Sequence, residues 1–122
     1  MWIGDGSNVK TLIHRDDAAR ACFLAARSGR PETAVYNVVA PPVTVRRVVS
    51  EIETALGRRR AILRIPAGLA RALAFGRLRK MLDVWLRNDA YSGDRFVAEF
   101  GFRPCVALDL GIRRLVAAYR SS

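Results

Sequence analysis

The sequence has few of the residues that bind metals or form disulfides. Its 122 residues include two cysteines, Cys22 and Cys105, and one histidine, His14. A structural zinc site takes about four Cys, His or carboxylate ligands, usually with closely spaced cysteines, and no C-x-x-C pair occurs here. We therefore predict no metal site, and we predict that both thiols are reduced, as in cytoplasmic proteins. Cys22 lies in an apolar helical segment and is predicted to be buried in the core.

Long apolar runs are also missing. A membrane helix takes about 20 predominantly apolar residues, whereas the best stretch, 65–75, is interrupted by Arg71. No signal-peptide pattern is visible at the start of the chain. We therefore expect no membrane span and a cytoplasmic location.

Acidic residues are scarce as well. The chain has 11 Asp and Glu against 21 Lys and Arg, which gives a net charge of +10. This charge favours a partner that carries phosphates, either nucleic acid or a nucleotide-linked substrate. The basic residues are scattered, with clusters only at 58–60 and 77–80, and aromatic residues do not interleave with them. The pattern disfavours nucleic acid, but a stand-alone basic module that binds nucleic acid or an anionic surface stays open as an alternative.

Helix and strand patterns alternate along the chain. Hydrophobic residues make up 51% of it, enough for the core of one domain, 1–122. Apolar residues at helical spacing, with Gly and Pro stops, predict an α/β fold that is helix-rich with a few short strands. Asp16 is expected to cap the first helix and Thr44 the next. The predicted strands are 11–14, 35–39 and 62–65, and the predicted helices are 18–27, 44–57, 66–75, 77–87, 94–100 and 108–120.

Two strings of residues carry a family resemblance. The first, GDGSNVKTLIHRDD, runs from Gly4 to Asp17, and the second, DRFVAEFGFRP, runs from Asp94 to Pro104. With the elements between them in the same order, they resemble the C-terminal part of the extended short-chain dehydrogenase/reductase family. That family includes the NAD(P)-dependent epimerases and dehydratases of nucleotide sugars. No single motif is specific, but the ordered set spans nearly the whole chain.

The resemblance implies that 1–122 is the C-terminal substrate-binding lobe of a Rossmann-type enzyme, with the nucleotide-binding half absent. In the family, the basic residue after the G-x-G turn often approaches the substrate diphosphate, and Lys10 takes that place. An ammonium group beside a diphosphate is physically favourable. Arg87 takes the place of a second basic residue that contacts phosphates. The implied ligand is a nucleotide sugar or a related small molecule, and an ordinary surface position is the alternative for both residues.

The reactive groups of such an enzyme are not found in the sequence. A Gly-rich turn that opens a helix would hold the dinucleotide pyrophosphate, but Val9 stands where a third glycine would follow Gly4 and Gly6. A Tyr-x-x-x-Lys acid/base pair is missing, because glycines lie four positions before both Lys10 and Lys80. We predict no catalytic or cofactor-binding residues, and NAD or NADP is implied only for the full-length family. The lobe is expected to be inactive alone and to expose an apolar face that can drive self-association.

Overall fold

The computed structural model describes residues 2–29, 34–58 and 64–121. Within these ranges the fold is helix-rich with short strands, so the predicted fold class is confirmed. The chain forms two compact units: the first contains the segment that ends at Lys10 together with Val43–Asp89, and the second contains Thr11–Pro42 and the residues from Ala90 onward. The elements are β1 (Trp2–Ile3), β2 (Val9–Lys10), α1 (Arg15–Arg27), β3 (Val43–Thr44), α2 (Val45–Leu56), β4 (Arg64–Ile65), α3 (Ala67–Leu73), α4 (Arg77–Leu86), α5 (Asp94–Phe100) and α6 (Leu108–Arg120).

Two pairs of very short strands organise the first unit. β1 and β4 are parallel, with Ile3 opposite Ile65, and β2 and β3 are antiparallel, with Lys10 opposite Val43. A small apolar cluster joins the β1–β4 pair to the helices that follow it. Its buried members are Ala70, Ala74 and Leu82, and Ile3 and Ile65 pack against them.

The ends of α2 follow local sequence signals. The Thr44 side chain accepts a hydrogen bond from the amide of Arg47 at 3.3 Å, as predicted for an N-cap. Gly57 ends the helix with a φ of +66°, a left-handed conformation that glycine adopts without a Cβ clash. Pro66 is the N-cap of α3, so this helix begins one residue after its predicted start, and Gly76 separates α3 from α4, as predicted.

An aromatic cluster forms the core of the second unit. Phe96 and Phe102 are buried together with Ala21 of α1. Phe96 stacks on Phe100 with ring centroids 4.5 Å apart, and Tyr36 meets both rings edge-on. The string that carries the family resemblance near the end of the chain therefore supplies much of this core, and edge-to-face contacts of this kind stabilise it.

Two strand predictions need correction, and a third is confirmed where the structure describes it. The segments 11–14 and 35–39 form no strand, although the amide of Ala40 donates to the carbonyl of Leu12 at 2.9 Å. β-rich sequences need a partner ladder, and here Tyr36 packs in the aromatic cluster instead. Of the predicted strand 62–65, residues 64 and 65 form β4, and 62 and 63 lie outside the described residues, as do 59 and 60 of the basic cluster.

Two predictions about α1 are also wrong. His14, not Asp16, is the N-cap, because its Nδ1 accepts a hydrogen bond from the Asp16 amide at 3.2 Å. Cys22 is exposed rather than buried. The helix turns Ala21 into the core, with Leu24 partly buried beside it, and Cys22 lies about 100° away from Ala21 around the helix axis.

No helix in the described part of the chain is both long and apolar enough to span a membrane.

Candidate functional site

The turn before β2 is held rigidly. Asp5 Oδ1 accepts hydrogen bonds from the amide and the hydroxyl of Ser7, at 2.9 and 2.7 Å. These bonds hold the pKa of Asp5 below its usual value. The guanidinium of Arg46 donates twice to the carbonyl of Asp5, at 3.0 and 2.7 Å, which ties the turn to the first residues of α2. Gly4 has a φ of +82°, and an added Cβ would lie 3.2 Å from Leu86, so the turn requires glycine there.

A second set of hydrogen bonds joins β2 to the end of α4. The side-chain amide of Asn8 donates to the carbonyl of Trp85 at 2.9 Å. The amide of Val9 donates to the side chain of Asn88 at 2.8 Å, and the amide of Asp89 donates to the carbonyl of Val9 at 2.9 Å. These contacts bring residues almost 80 positions apart side by side and place Lys10 beside Asp89.

Lys10 and Arg87, the two residues predicted to bind substrate, meet at one carboxylate. Lys10 Nζ lies 2.5 Å from Asp89 Oδ2 and 3.3 Å from the carbonyl of Val84. Arg87 Nε lies 2.8 Å from Asp89 Oδ1. The hydrogen bonds from Lys10 and then Arg87 hold the pKa of Asp89 below its usual value. We call Lys10, Arg87 and Asp89 the cation cluster.

Sequence reasoning did not identify Asp89. Nothing in the local string Arg87-Asn88-Asp89 distinguishes a residue that pairs with Lys10 from an ordinary acidic residue in a loop. The signal that could have identified Asp89 is the charge of Lys10, because a partly buried ammonium group usually has an acidic partner. Asp89 leaves the cluster with less positive charge than the two predicted cations alone would give.

A groove of about 540 Å³ lies beside Lys10, entirely within the first unit. Ligand pockets commonly have volumes of about 300–1,000 Å³ with mostly apolar linings, so the groove is large enough for a small molecule. α2 contributes two valines to its lining, and α4 contributes four side chains. The lining residues are Ile3, Asn8, Lys10, Val45, Val49, Leu82, Val84, Trp85 and Leu86.

A more polar hollow of about 490 Å³ lies on the turn itself, between Gly4 and Asn8 on one side and Pro66 to Arg71 on the other. It does not fit a dinucleotide pyrophosphate. The turn leads into the strand β2 rather than into a helix. The helix start that does line the hollow, at Pro66 and Ala67, belongs to the seven-residue α3 and follows a proline that has no N–H to donate. Asp5 adds a negative charge to the turn. The turn and the helix are therefore not joined as they are in a Gly-rich dinucleotide-binding turn.

Asp17 is the most buried carboxylate among the described residues, and its contacts are structural. It is 1% exposed and accepts hydrogen bonds from the amides of Cys105 and Val106, at 2.9–3.1 Å, and from Arg20 at 2.8 Å. Burial by itself raises its pKa, but the two amides and Arg20 outweigh burial, and the pKa of Asp17 lies below the usual value. A carboxylate held ionised in this way connects α1 to the segment before α6 rather than exchanging protons near neutral pH.

No group of three or more His, Cys, Asp or Glu side chains arranged to hold a metal ion occurs among the described residues.

Comparison with solved structures identifies the same fold in larger enzymes. A dTDP-glucose 4,6-dehydratase from Bacillus anthracis matches with a TM-score of 0.71 and 24% identity, over 99% of this chain and 34% of its own. A dTDP-glucose 4,6-dehydratase from Streptomyces venezuelae matches with a TM-score of 0.70 and 27% identity, over 98% and 33%. A UDP-glucose 4-epimerase from Thermotoga maritima matches with a TM-score of 0.70 and 20% identity, over 98% and 34%. Neither a scan of protein-family models nor a search of curated proteins gave a match.

The resemblance inferred from the sequence is thus confirmed at the level of fold. The chain has the fold of the C-terminal portion of extended short-chain dehydrogenase/reductase enzymes and spans about a third of the length of each. The two dehydratases were solved with NAD, and the epimerase with UDP-glucose.

Proposed function

We propose that this chain is the substrate-binding lobe of an NAD(P)-dependent epimerase- or dehydratase-like enzyme and that it has no catalytic activity alone. The observation that carries the proposal is the convergence of Lys10 and Arg87 on one carboxylate, Asp89, beside a groove that Lys10 lines. The family resemblance implies both residues as phosphate contacts, and they are 77 positions apart in the sequence. The fold shared with nucleotide-sugar enzymes supports the proposal.

In this proposal the cation cluster receives the phosphates of the substrate. An ammonium and a guanidinium group give charge-assisted hydrogen bonds to phosphate oxygens, which are stronger than neutral ones. Asp89 competes with the incoming phosphate for both cations, and it also keeps them in place before the substrate arrives. The cluster binds and orients, and the acid/base groups and the NAD(P) site belong to other residues of a complete enzyme.

The test is calorimetric titration of the chain with UDP and UDP-glucose. Lys10→Ala should weaken binding by about tenfold or more, as expected for the loss of a hydrogen bond to a charged group. Lys80→Ala is the matched control, because Lys80 is the other lysine of the chain, is exposed on α4 and does not line the groove. Asp89→Asn should strengthen binding several-fold, since it removes the competing carboxylate.

Two results would contradict the proposal. Equal losses in the Lys10 and Lys80 variants would mean that the net positive charge, not the cluster, attracts the nucleotide. Tight one-to-one binding of NAD⁺ by this chain would show a cofactor site where we propose none.

A further inference from the structure

The groove beside Lys10 offers a ligand almost no hydrogen bonds from side chains. Seven of its nine lining residues are hydrophobic, and among these seven only Trp85 has a polar side-chain group, its indole N–H. The two polar ones already have partners inside the protein: Asn8 donates to the carbonyl of Trp85, and Lys10 donates to Asp89 and to the carbonyl of Val84. The groove is therefore mostly apolar, and Lys10 is the one charged residue among the described residues that line it.

A sugar ring fits poorly into such a lining. Each hydroxyl that enters loses hydrogen bonds to water, and polar groups that are buried without replacement partners reduce affinity. A nucleobase has the same problem at its carbonyl and N–H edges. A hydrocarbon body loses nothing of this kind and gains from leaving water.

The rim of the groove exposes apolar surface that a ligand of this kind would cover. Val84 is 54% exposed and Trp85 is 71% exposed, although both line the groove. Large exposed apolar side chains around a concavity are typical of binding surfaces. An indole also offers a flat face to an apolar body.

We infer that the groove binds the apolar body of an anionic ligand, whose phosphate end lies at the cation cluster. The substrate class is therefore a phosphate or diphosphate ester of a hydrocarbon alcohol rather than of a sugar. This inference rests on the proposed function, since it assigns the substrate class of the same site.

Three probes separate the two parts of the ligand: UDP-glucose, geranyl diphosphate and geraniol. Titration of the full chain should give about tenfold tighter binding for geranyl diphosphate than for UDP-glucose, comparable to the burial of one large apolar group. Geraniol should bind more weakly than its diphosphate. Trp85→Ala should lose about tenfold in affinity for geranyl diphosphate and little for UDP. Because Trp85 is mostly exposed, this variant should keep the thermal transition of the wild type.

Leu78→Ala is the matched control, since Leu78 is an exposed apolar residue of the same helix that does not line the groove. An equal loss in both variants would place the hydrocarbon on the helix surface and overturn the inference. UDP-glucose binding as tightly as geranyl diphosphate, with dependence on Lys10, would overturn the substrate class but leave the proposed function in place. If neither anion binds, both proposals fail. If geraniol binds as tightly as its diphosphate, the apolar lining stands and the role of the cation cluster fails.

Discussion

Asp17 should carry a measurable part of the stability of the second unit. Its carboxylate is buried and joins α1 to the backbone amides of Cys105 and Val106 and to the guanidinium of Arg20. Asp17→Asn keeps the size of the side chain but removes the negative charge. One of the two carboxylate oxygens becomes an NH₂ group, which donates hydrogen bonds but accepts none. This NH₂ group would face another donor, either a backbone amide or the guanidinium of Arg20, and neither donor would have an acceptor.

The expected loss follows from the burial of these partners. Breaking a buried ion pair costs about 3–5 kcal/mol, and a buried unpaired donor about 1–3 kcal/mol. Since Arg20 is half exposed and regains water, we expect the lower part of this range, about 3 kcal/mol. For a chain of this length the unfolding entropy converts that loss into a fall in the melting temperature of about 12 °C.

The loss should also depend on pH. The folded pKa of Asp17 is below the unfolded value of 3.8, so the carboxylate stabilises the fold fully above that value. The stabilisation disappears as the pH falls through 3.8 and then through the lower folded pKa. The difference between wild type and Asp17→Asn should therefore be largest near pH 7 and should shrink in acid.

Chemical denaturation at several pH values measures both effects. Asp16→Asn is the control, because Asp16 is the adjacent carboxylate, is half exposed and pairs with Arg114 at the surface. It should cost less than about 1 kcal/mol. The reasoning about Asp17 is refuted if both variants lose the same stability at pH 7, or if the Asp17→Asn difference is unchanged in acid.

Two further changes test the packing and capping of the second unit. Gly93→Ala should destabilise it by about 1–3 kcal/mol, because the new Cβ would lie 3.1 Å from Val39 and 3.3 Å from a backbone oxygen. Gly68→Ala is the control, because a Cβ at this position of α3 meets open space, and it should be neutral or stabilising. Equal melting temperatures for the Gly93 and Gly68 variants would contradict the close contact between Gly93 and Val39. Ala107→Ser should stabilise α6 by about 1 kcal/mol, because the N-cap of this helix has no side-chain hydrogen bond. An unchanged denaturation midpoint for that variant would show that the helix end is already satisfied.

The helices were largely predictable from sequence because their ends depend on nearby residues. Thr44 caps α2 with its own hydroxyl, and Gly57 and Gly101 end helices through their own backbone conformations. Ala107 has no side-chain acceptor, and α6 begins without a side-chain cap. Each of these signals is complete within about four residues of sequence.

The strands and the site depend on distant partners. The Tyr36 segment has a β-rich composition, yet its partners are aromatic rings some 60 positions later rather than a strand. In the same way, the sequence predicted Lys10 and Arg87, but not that Asp89 lies between them. Asn8 and Val9 create that meeting through bonds to residues 85, 88 and 89, and no local pattern encodes those bonds.

The apolar stripe of α2 shows why the ligand class was also beyond the sequence. Apolar residues at helical spacing predict a buried face, but no residue of α2 is fully buried. Val45 and Val49 line the groove instead. A stripe that faces a core and a stripe that faces a ligand have the same spacing, so the sequence alone cannot separate them. Among the described residues, those that pack against the buried cluster of Ala70, Ala74 and Leu82 are Ile3 and Ile65, and no residue of α2 is among them. Val45 and Val49 therefore give α2 an apolar surface at the groove, and this is the physical reason to expect a hydrocarbon there.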